Sequence, residues 1–228
     1  ISQRLLNEKL AMLFGNFEKI PLLPFDLNMS RSFLQDNIKG ITLPQVYLDF
    51  IASFTGSRPF YMQVISDEIN RTIVSKKVVT SSDYTLLMES ALTESIFKKT
   101  GIINQHFFTF FFKVSDGKLL SESAAVLIAL SSENKKQNDI AASAKMQTRV
   151  VSKILNRLIE MDIIVRNGSF CTLKDKLFCF WLKACYLRRI MSFSIDEVVE
   201  EALFKKEVIN MFNVFVQEFE KELSSRII

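Results

Sequence analysis

The side chains best suited to chemistry in this chain are basic and amide groups gathered between Gln147 and Arg166. Gln147 and Thr148, followed by Arg149, Lys153, Asn156 and Arg157, fall on one wet face at helical spacing. Guanidinium, ammonium and amide donors on such a face suit phosphate oxygens and base edges, which is the chemistry of a recognition helix in a DNA groove. Arg166 adds a cation on the hairpin that follows. Acid–base and metal chemistry find no comparable set. Asp67 and Glu68, or Glu200 and Glu201, are adjacent in sequence, so on a helix they point to different sides and form no acid–base couple. His106 is the only histidine and sits in an aromatic run without a second imidazole or paired cysteine, which makes it a structural residue. Cys171, Cys179 and Cys185 are odd in number and lack CxxC spacing, so neither a disulfide framework nor a zinc site is expected. Six glycines, none within GxxxxGK[ST] or GxGxxG, offer no phosphate loop. No catalytic residue and no metal site are expected.

Periodicity gives the elements that must hold those cations. Ser123 to Leu130 is an apolar helix, Ser131 to Lys136 a polar break, and Ile140, Ala141 and Ala144 mark a short helix. After a turn at Lys145 to Gln147, Val151, Ile154, Leu155 and Leu158 recur at i, i+3, i+4, i+7 and predict the buried stripe of a longer helix. Ile163 to Arg166 and Ser169 to Leu173 flank Asn167-Gly168, whose tolerance of positive φ predicts a type I′ hairpin. From Ser121 to Trp181 this order is that of a winged helix-turn-helix with the hairpin as its wing.

Upstream, Ile1 to Leu13 has a helical period, and Phe17 to Leu23 reads as a strand that Pro24 stops. Asn28 or Ser30 caps a helix over Arg31 to Ile38, and Leu43-Pro44 opens another that stops near Phe54-Thr55-Gly56. Phe60 to Ile73 supports a third, and Ser81-Ser82-Asp83 caps a long one from Tyr84 to Lys99. A phenylalanine-rich helix then runs from Asn104 to Val114. With only Lys113 beside them, its phenylalanines suit a core better than a base-stacking surface.

A chain of 228 residues with 48% hydrophobic and 24% charged residues is folded and soluble, with one sizeable core or two small ones. Its 29 basic and 25 acidic side chains leave only +4, so any nucleic-acid footprint is a local patch. The richest apolar run, Phe107 to Phe112, falls far short of the roughly 20 residues that cross a bilayer, and no membrane partner is expected. The chain opens at Ile1 without a signal-peptide pattern, which suits a piece of a longer cytoplasmic protein.

The segment Phe54-Thr-Gly-Ser-Arg-Pro-Phe-Tyr-Met-Gln63 resembles the Gly-x-Pro type motif between two lid helices of signal-transducing AAA+ ATPases, in particular the archaeal-type ATPase family. Val150 to Ile164, and then Lys174-Asp-Lys-Leu-Phe-Cys-Phe-Trp181, resemble the winged helix of that family and the Asp-Pro-Leu-Phe-x-Phe-Trp signature that closes it. Phe17 to Leu34 is similar to the strand and helix that join the nucleotide-binding sheet to the lid. Lys176 stands where the family usually has proline, and Asp162 where a glycine ends the recognition helix, although aspartate can visit the left-handed region. The resemblance is to the C-terminal half alone. It implies that ATP or ADP with Mg is held by an N-terminal ATPase core missing from this sequence, and that no nucleotide binds tightly to this chain by itself. It also implies that Pro59 packs near the adenine, with Gly56 permitting the tight turn before it and Arg58 within reach of phosphates.

The expected fold class is mainly α. Residues 1–27 would be a remnant of the ATPase core sheet and linker, 28–116 a helical lid, 117–185 a winged helix with a small β-hairpin wing, and 186–228 a C-terminal helical extension. The tail from Ile195 to Leu223 has a broad apolar face that either packs on the lid or pairs with another copy in a homo-oligomer. The expected function is the regulatory half of an AAA+ type ATPase, in which lid rotation exposes or hides the basic face of the winged helix. The alternative is a stand-alone winged-helix regulator of double-stranded DNA, using Gln147, Thr148, Arg149, Lys153 and Arg157 in the major groove and Arg166 on the wing, or else a protein-interaction scaffold. Glu160 and Asp162 dilute the basic face, while Lys135, Lys136 and Lys145 restore part of it.

Overall fold

A computed structural model describes residues 23–76, 83–118, 120–132, 135–188 and 196–225. The helix expected over Ile1 to Leu13, and the strand expected over Phe17 to Leu23 save for Leu23 itself, lie outside them. The protein is mainly helical with a small three-stranded antiparallel sheet. In chain order the helices are α1 (Leu27–Asn37), α2 (Gln45–Thr55), α3 (Pro59–Lys76), α4 (Tyr84–Leu92), α5 (Ile102–Val114) and α6 (Glu122–Leu130). Strand β1 (Lys135–Lys136) precedes α7 (Gln137–Ala144) and α8 (Thr148–Glu160). Strands β2 (Ile164–Asn167) and β3 (Phe170–Leu173) lead to α9 (Lys176–Trp181) and α10 (Glu197–Ser225). The chain divides into two compact units, one comprising residues 24–110 and 176–228, the other built on residues 111–175.

In the helical unit, α1 begins four residues before the expected Arg31. Its cap is Asp26, not Asn28 or Ser30: the Met29 N–H donates to Asp26 Oδ1 at 2.8 Å, satisfying a first-turn donor that has no partner within the helix. Where one helix was expected from Tyr84 to Lys99, α4 stops at Leu92 and widens into a π turn over Thr93–Phe97. The Thr93 hydroxyl donates to the Glu89 carbonyl at 2.8 Å, and Ser95 bonds back to Ala91. Side chains thus share carbonyls with the backbone ladder, and the Lys98 N–H returns to Thr93 O at 3.0 Å.

The core of this unit is aromatic. Trp181 is fully buried, with Phe107 at 5.8 Å and Phe178 at 5.9 Å between ring centroids, and its indole N–H donates to Asn104 Oδ1 at 2.8 Å. Burying a ring of this kind stabilises by about 1.5–3 kcal/mol, provided the polar edge is met. Helix α10 joins the same unit through Phe204, Val208 and Phe212, which recur every four residues and are buried. Phe204 meets Phe97 at 5.3 Å, while Phe212 stacks on Tyr47 at 4.8 Å and meets Phe50 edge-on at 5.2 Å. Of the two uses open to the tail, packing on the helices of residues 24–110 is therefore realised within the chain. Polar links flank that seam: Lys205 pairs with Glu201 at 2.8 Å, and Lys98 bonds to the same carboxylate. Those two ammonium groups hold the Glu201 carboxyl below the usual carboxylate range.

In the second unit α6, α7 and α8 pack on one another over Val126, Leu127, Ile140 and the stripe of α8. Val151, Ile154, Leu155 and Leu158 are all buried, as their spacing requires. The sheet has the order β1-β3-β2, with β3 central. Ile164 pairs with Leu173 and Asn167 with Phe170, so the two-residue turn is Gly168-Ser169 and not the expected Asn167-Gly168. Gly168 alone has positive φ there, at 60°, which is the pattern of a type II′ turn. The stretch Ser131 to Lys136, expected as a plain break, supplies Lys135 and Lys136 as a short edge strand against Cys171 and Phe170.

Candidate functional site

Helix α8 presents what the spacing promised on most of its outer face. Thr148, Arg149, Lys153 and Asn156 are exposed, because the buried stripe on the other side fixes the roll of the helix. Gln147 occupies the cap position with extended backbone, and its side chain makes no cap bond. At the far end Asp162 adopts φ 62°, the left-handed conformation for which a glycine would be usual. The Ile163 N–H then closes the helix on Leu158 O at 2.9 Å, and Lys174 pairs with the Asp162 carboxylate. Charge therefore runs from positive at Arg149 and Lys153 to negative at the exposed Glu160, with Asp162 offset by Lys174. A polyanion is favoured at the N-terminal two turns and repelled from the last.

Arg157 departs from this face. Its guanidinium donates to Asp116 Oδ1 at 2.8 Å and Oδ2 at 3.1 Å, to the Val114 carbonyl at 3.1 Å and to the Ser123 hydroxyl at 2.6 Å. Asp116 itself holds φ 58°, so a strained turn at 115–117 is bonded to α8 through this one side chain. The group expected to meet phosphates is engaged inside its own unit.

Arg166, on β2, lies beside the start of α7. Its Nη2 donates to Gln137 Oε1 at 3.2 Å, and Gln137 Nε2 donates to the Thr148 carbonyl at 3.3 Å. Lys136 holds its ammonium 5.5 Å from the centre of the Phe170 ring, a cation–π distance. Between them lies an open hollow of about 420 Å³ lined by Lys136, Gln137, Asn138, Arg166, Gly168 and Ser169. Gln137 was not singled out in the sequence; its one available signal is its place as the first residue of α7.

The second expected site, in the helical unit, is a turn between α2 and α3. Gly56 takes φ 61° and Ser57 φ 55°; the Ser57 N–H donates to Ala52 O at 2.7 Å, and Pro59 opens α3 where its missing N–H is no loss. Arg58 is exposed between them. The Phe25 N–H donates to Ser57 O at 2.9 Å and anchors the turn to the start of the described chain. These residues offer a guanidinium and a proline ring, a contact surface and not an enclosure, so a nucleotide's phosphates and Mg would need ligands from elsewhere.

His106 is exposed on α5 with its ring 5.2 Å from that of Phe60. Phe107 and Phe111 are buried, whereas Phe108 and Phe112 are each 44% exposed. Among the described residues no group of three or more His, Cys, Asp or Glu could hold a metal ion. No helix among them is long and apolar enough to cross a membrane. Comparison with protein-family models, with curated proteins and with solved structures finds no match to this chain.

Proposed function

We propose that residues 117–175 form a winged helix-turn-helix that binds double-stranded DNA through the N-terminal half of α8, carried on a helical unit that acts as the lid of an AAA+ type ATPase. The observation that carries the DNA reading is the exposed Arg149 and Lys153 on a helix whose roll is fixed by four buried aliphatics. The order α6, β1, α7, α8, β2, β3 with sheet order β1-β3-β2 supports the winged-helix reading. The lid reading rests on the resemblance, and is supported by the left-handed Gly56 ahead of Pro59. Phosphate contacts release counterions, so binding must weaken with salt. Fluorescence anisotropy of this chain on a labelled duplex, at low and physiological salt, tests it. The double variant Arg149→Ala, Lys153→Ala should lower the slope of log K against log [salt] by about 1.8, two phosphates at ~0.9 each.

A second reading is favoured by the engagement of Arg157 and by the acidic end of α8: the module docks on a protein surface. Flat anisotropy traces at high protein concentration would select it. The ATPase reading is tested separately, by whether the encoding reading frame continues upstream through a GxxxxGK[ST] loop.

A further inference from the structure

The hollow beside Arg166 has a property not shown at Arg149 and Lys153: each of its two cations meets a partner before any ligand arrives. Gln137 accepts from Arg166 at 3.2 Å with one end of its amide and donates to the Thr148 carbonyl at 3.3 Å with the other. The guanidinium is thereby tied to the first residue of α8. Lys136 is steadied from the opposite side by the Phe170 ring at 5.5 Å, and Phe170 is 43% exposed, so the ammonium stays at the surface. Lys136 and Phe170 are also register partners across β1 and β3, which fixes the position of that ring. Among the described residues lining the hollow there are two cations, two amides, a glycine and a serine, and no carboxylate. Hydroxyl and amide donors between two fixed cations match the oxygens of one phosphodiester. At Gly168, a Cβ would meet nothing within 4 Å, so the rim toward solvent is open to a strand of backbone.

We propose that this hollow is a phosphodiester subsite for duplex DNA, with Lys136 and Arg166 as its ligands and Gln137 as the positioning residue that binds it to α8. The proposal rests on the DNA reading of α8 and adds a second, separable anchor to it. With the Arg149 and Lys153 face fixing one point on the duplex, the hollow fixes another, so register on the backbone is set by their spacing.

The test is anisotropy of the full 228-residue chain on a labelled duplex whose backbone carries a single neutral methylphosphonate, moved one position at a time. Wild type should lose affinity when one particular phosphate outside the α8 contacts is neutralised, and the double variant Lys136→Ala, Arg166→Ala should be indifferent to that position. The salt slope of the double variant should fall by about 0.9, one phosphate. Gln137→Ala should weaken binding in the wild-type background and add nothing further once Arg166 is alanine, because its effect passes through that guanidinium. Circular dichroism that matches wild type keeps each variant interpretable. Equal slopes and equal methylphosphonate profiles for wild type and the double variant overturn the subsite while leaving the α8 reading intact. Failure of wild type to bind any duplex at low salt takes down both.

Discussion

Replacing Arg157 with alanine distinguishes a clamp from a phosphate contact. The side chain donates four bonds, two to Asp116 and one each to Val114 O and Ser123 Oγ. The ion pair lies between side chains that are 38% and 58% exposed, and solvent screening limits it to about 0.5 kcal/mol. The other two bonds reach residues that are 1% and 4% exposed, but the guanidinium is itself 38% exposed, which keeps them near the general figure of about 1 kcal/mol each. Ser123 keeps Asp116 Oδ2 at 3.4 Å as a partner, so its hydroxyl adds no full desolvation penalty when the guanidinium goes. The expected loss is therefore about 2.5 kcal/mol, or ~5–10 °C in melting temperature for a chain of this length. Thermal and urea unfolding followed by circular dichroism measure it, with anisotropy on the same duplex in parallel. Arg157→Lys should recover only part, since one ammonium cannot span all the acceptors. A stability change under about 0.5 kcal/mol together with a salt slope lowered by ~0.9 would show Arg157 on a phosphate and refute the clamp.

Phe212→Ala should cost about 3–4 kcal/mol, because it removes a ring 4% exposed that stacks on Tyr47 and meets Phe50; an unfolding midpoint near that of wild type would mean α10 adds little to the helical unit. Burial pushes the Tyr186 phenol up to about 12. The folded state favours the neutral phenol, so this contribution is intact below about pH 10 and is lost as pH rises toward 12; Tyr186→Phe should flatten that alkaline limb in unfolding titrations. Lys145 ends α7 at φ 53°, and Lys145→Gly should raise stability by roughly 0.5–1 kcal/mol in a thermal melt, whereas a lower midpoint would mean that its left-handed turn stores no strain.

The elements around α8 were legible because their signals are periodic. Four apolar residues at helical spacing fixed both the helix and its roll, and all four are buried. Arg157 was not legible, for a geometric reason. It lies about 80° round the helix from Arg149, at the border of the buried stripe next to Ile154, where a long cation can turn inward or outward. Only a partner decides, and Asp116 stands 41 positions away in sequence. The hairpin was found but its turn was placed one residue early, since Asn-Gly satisfies the sequence preference while the pairing of Asn167 with Phe170 sets the register. For α10 the difficulty was excess. Val198, Val199, Leu203, Met211 and Val214 are exposed although Phe204, Val208 and Phe212 already provide the packing face, and a surplus of apolar residues leaves the direction of burial open. The turn at Gly56 to Pro59 was legible as backbone, because Gly and Pro have narrow conformational reasons to stand there. Any nucleotide role for it is a matter of ligands on other residues, which local preference does not encode.

The sheet edge formed by β1 has a meaning for the behaviour of the chain in concentrated solution. An open edge offers unpaired N–H and C=O groups to any extended polypeptide, and proteins defend such edges by brevity and by lysine. Here the edge strand is two residues long and both are lysines. A copy approaching strand to strand meets two ammonium groups and too few free backbone groups to register. Neutralising Lys136 and Lys135 together would thus remove a guard against fibrous self-association, and light scattering of that variant on storage would record it.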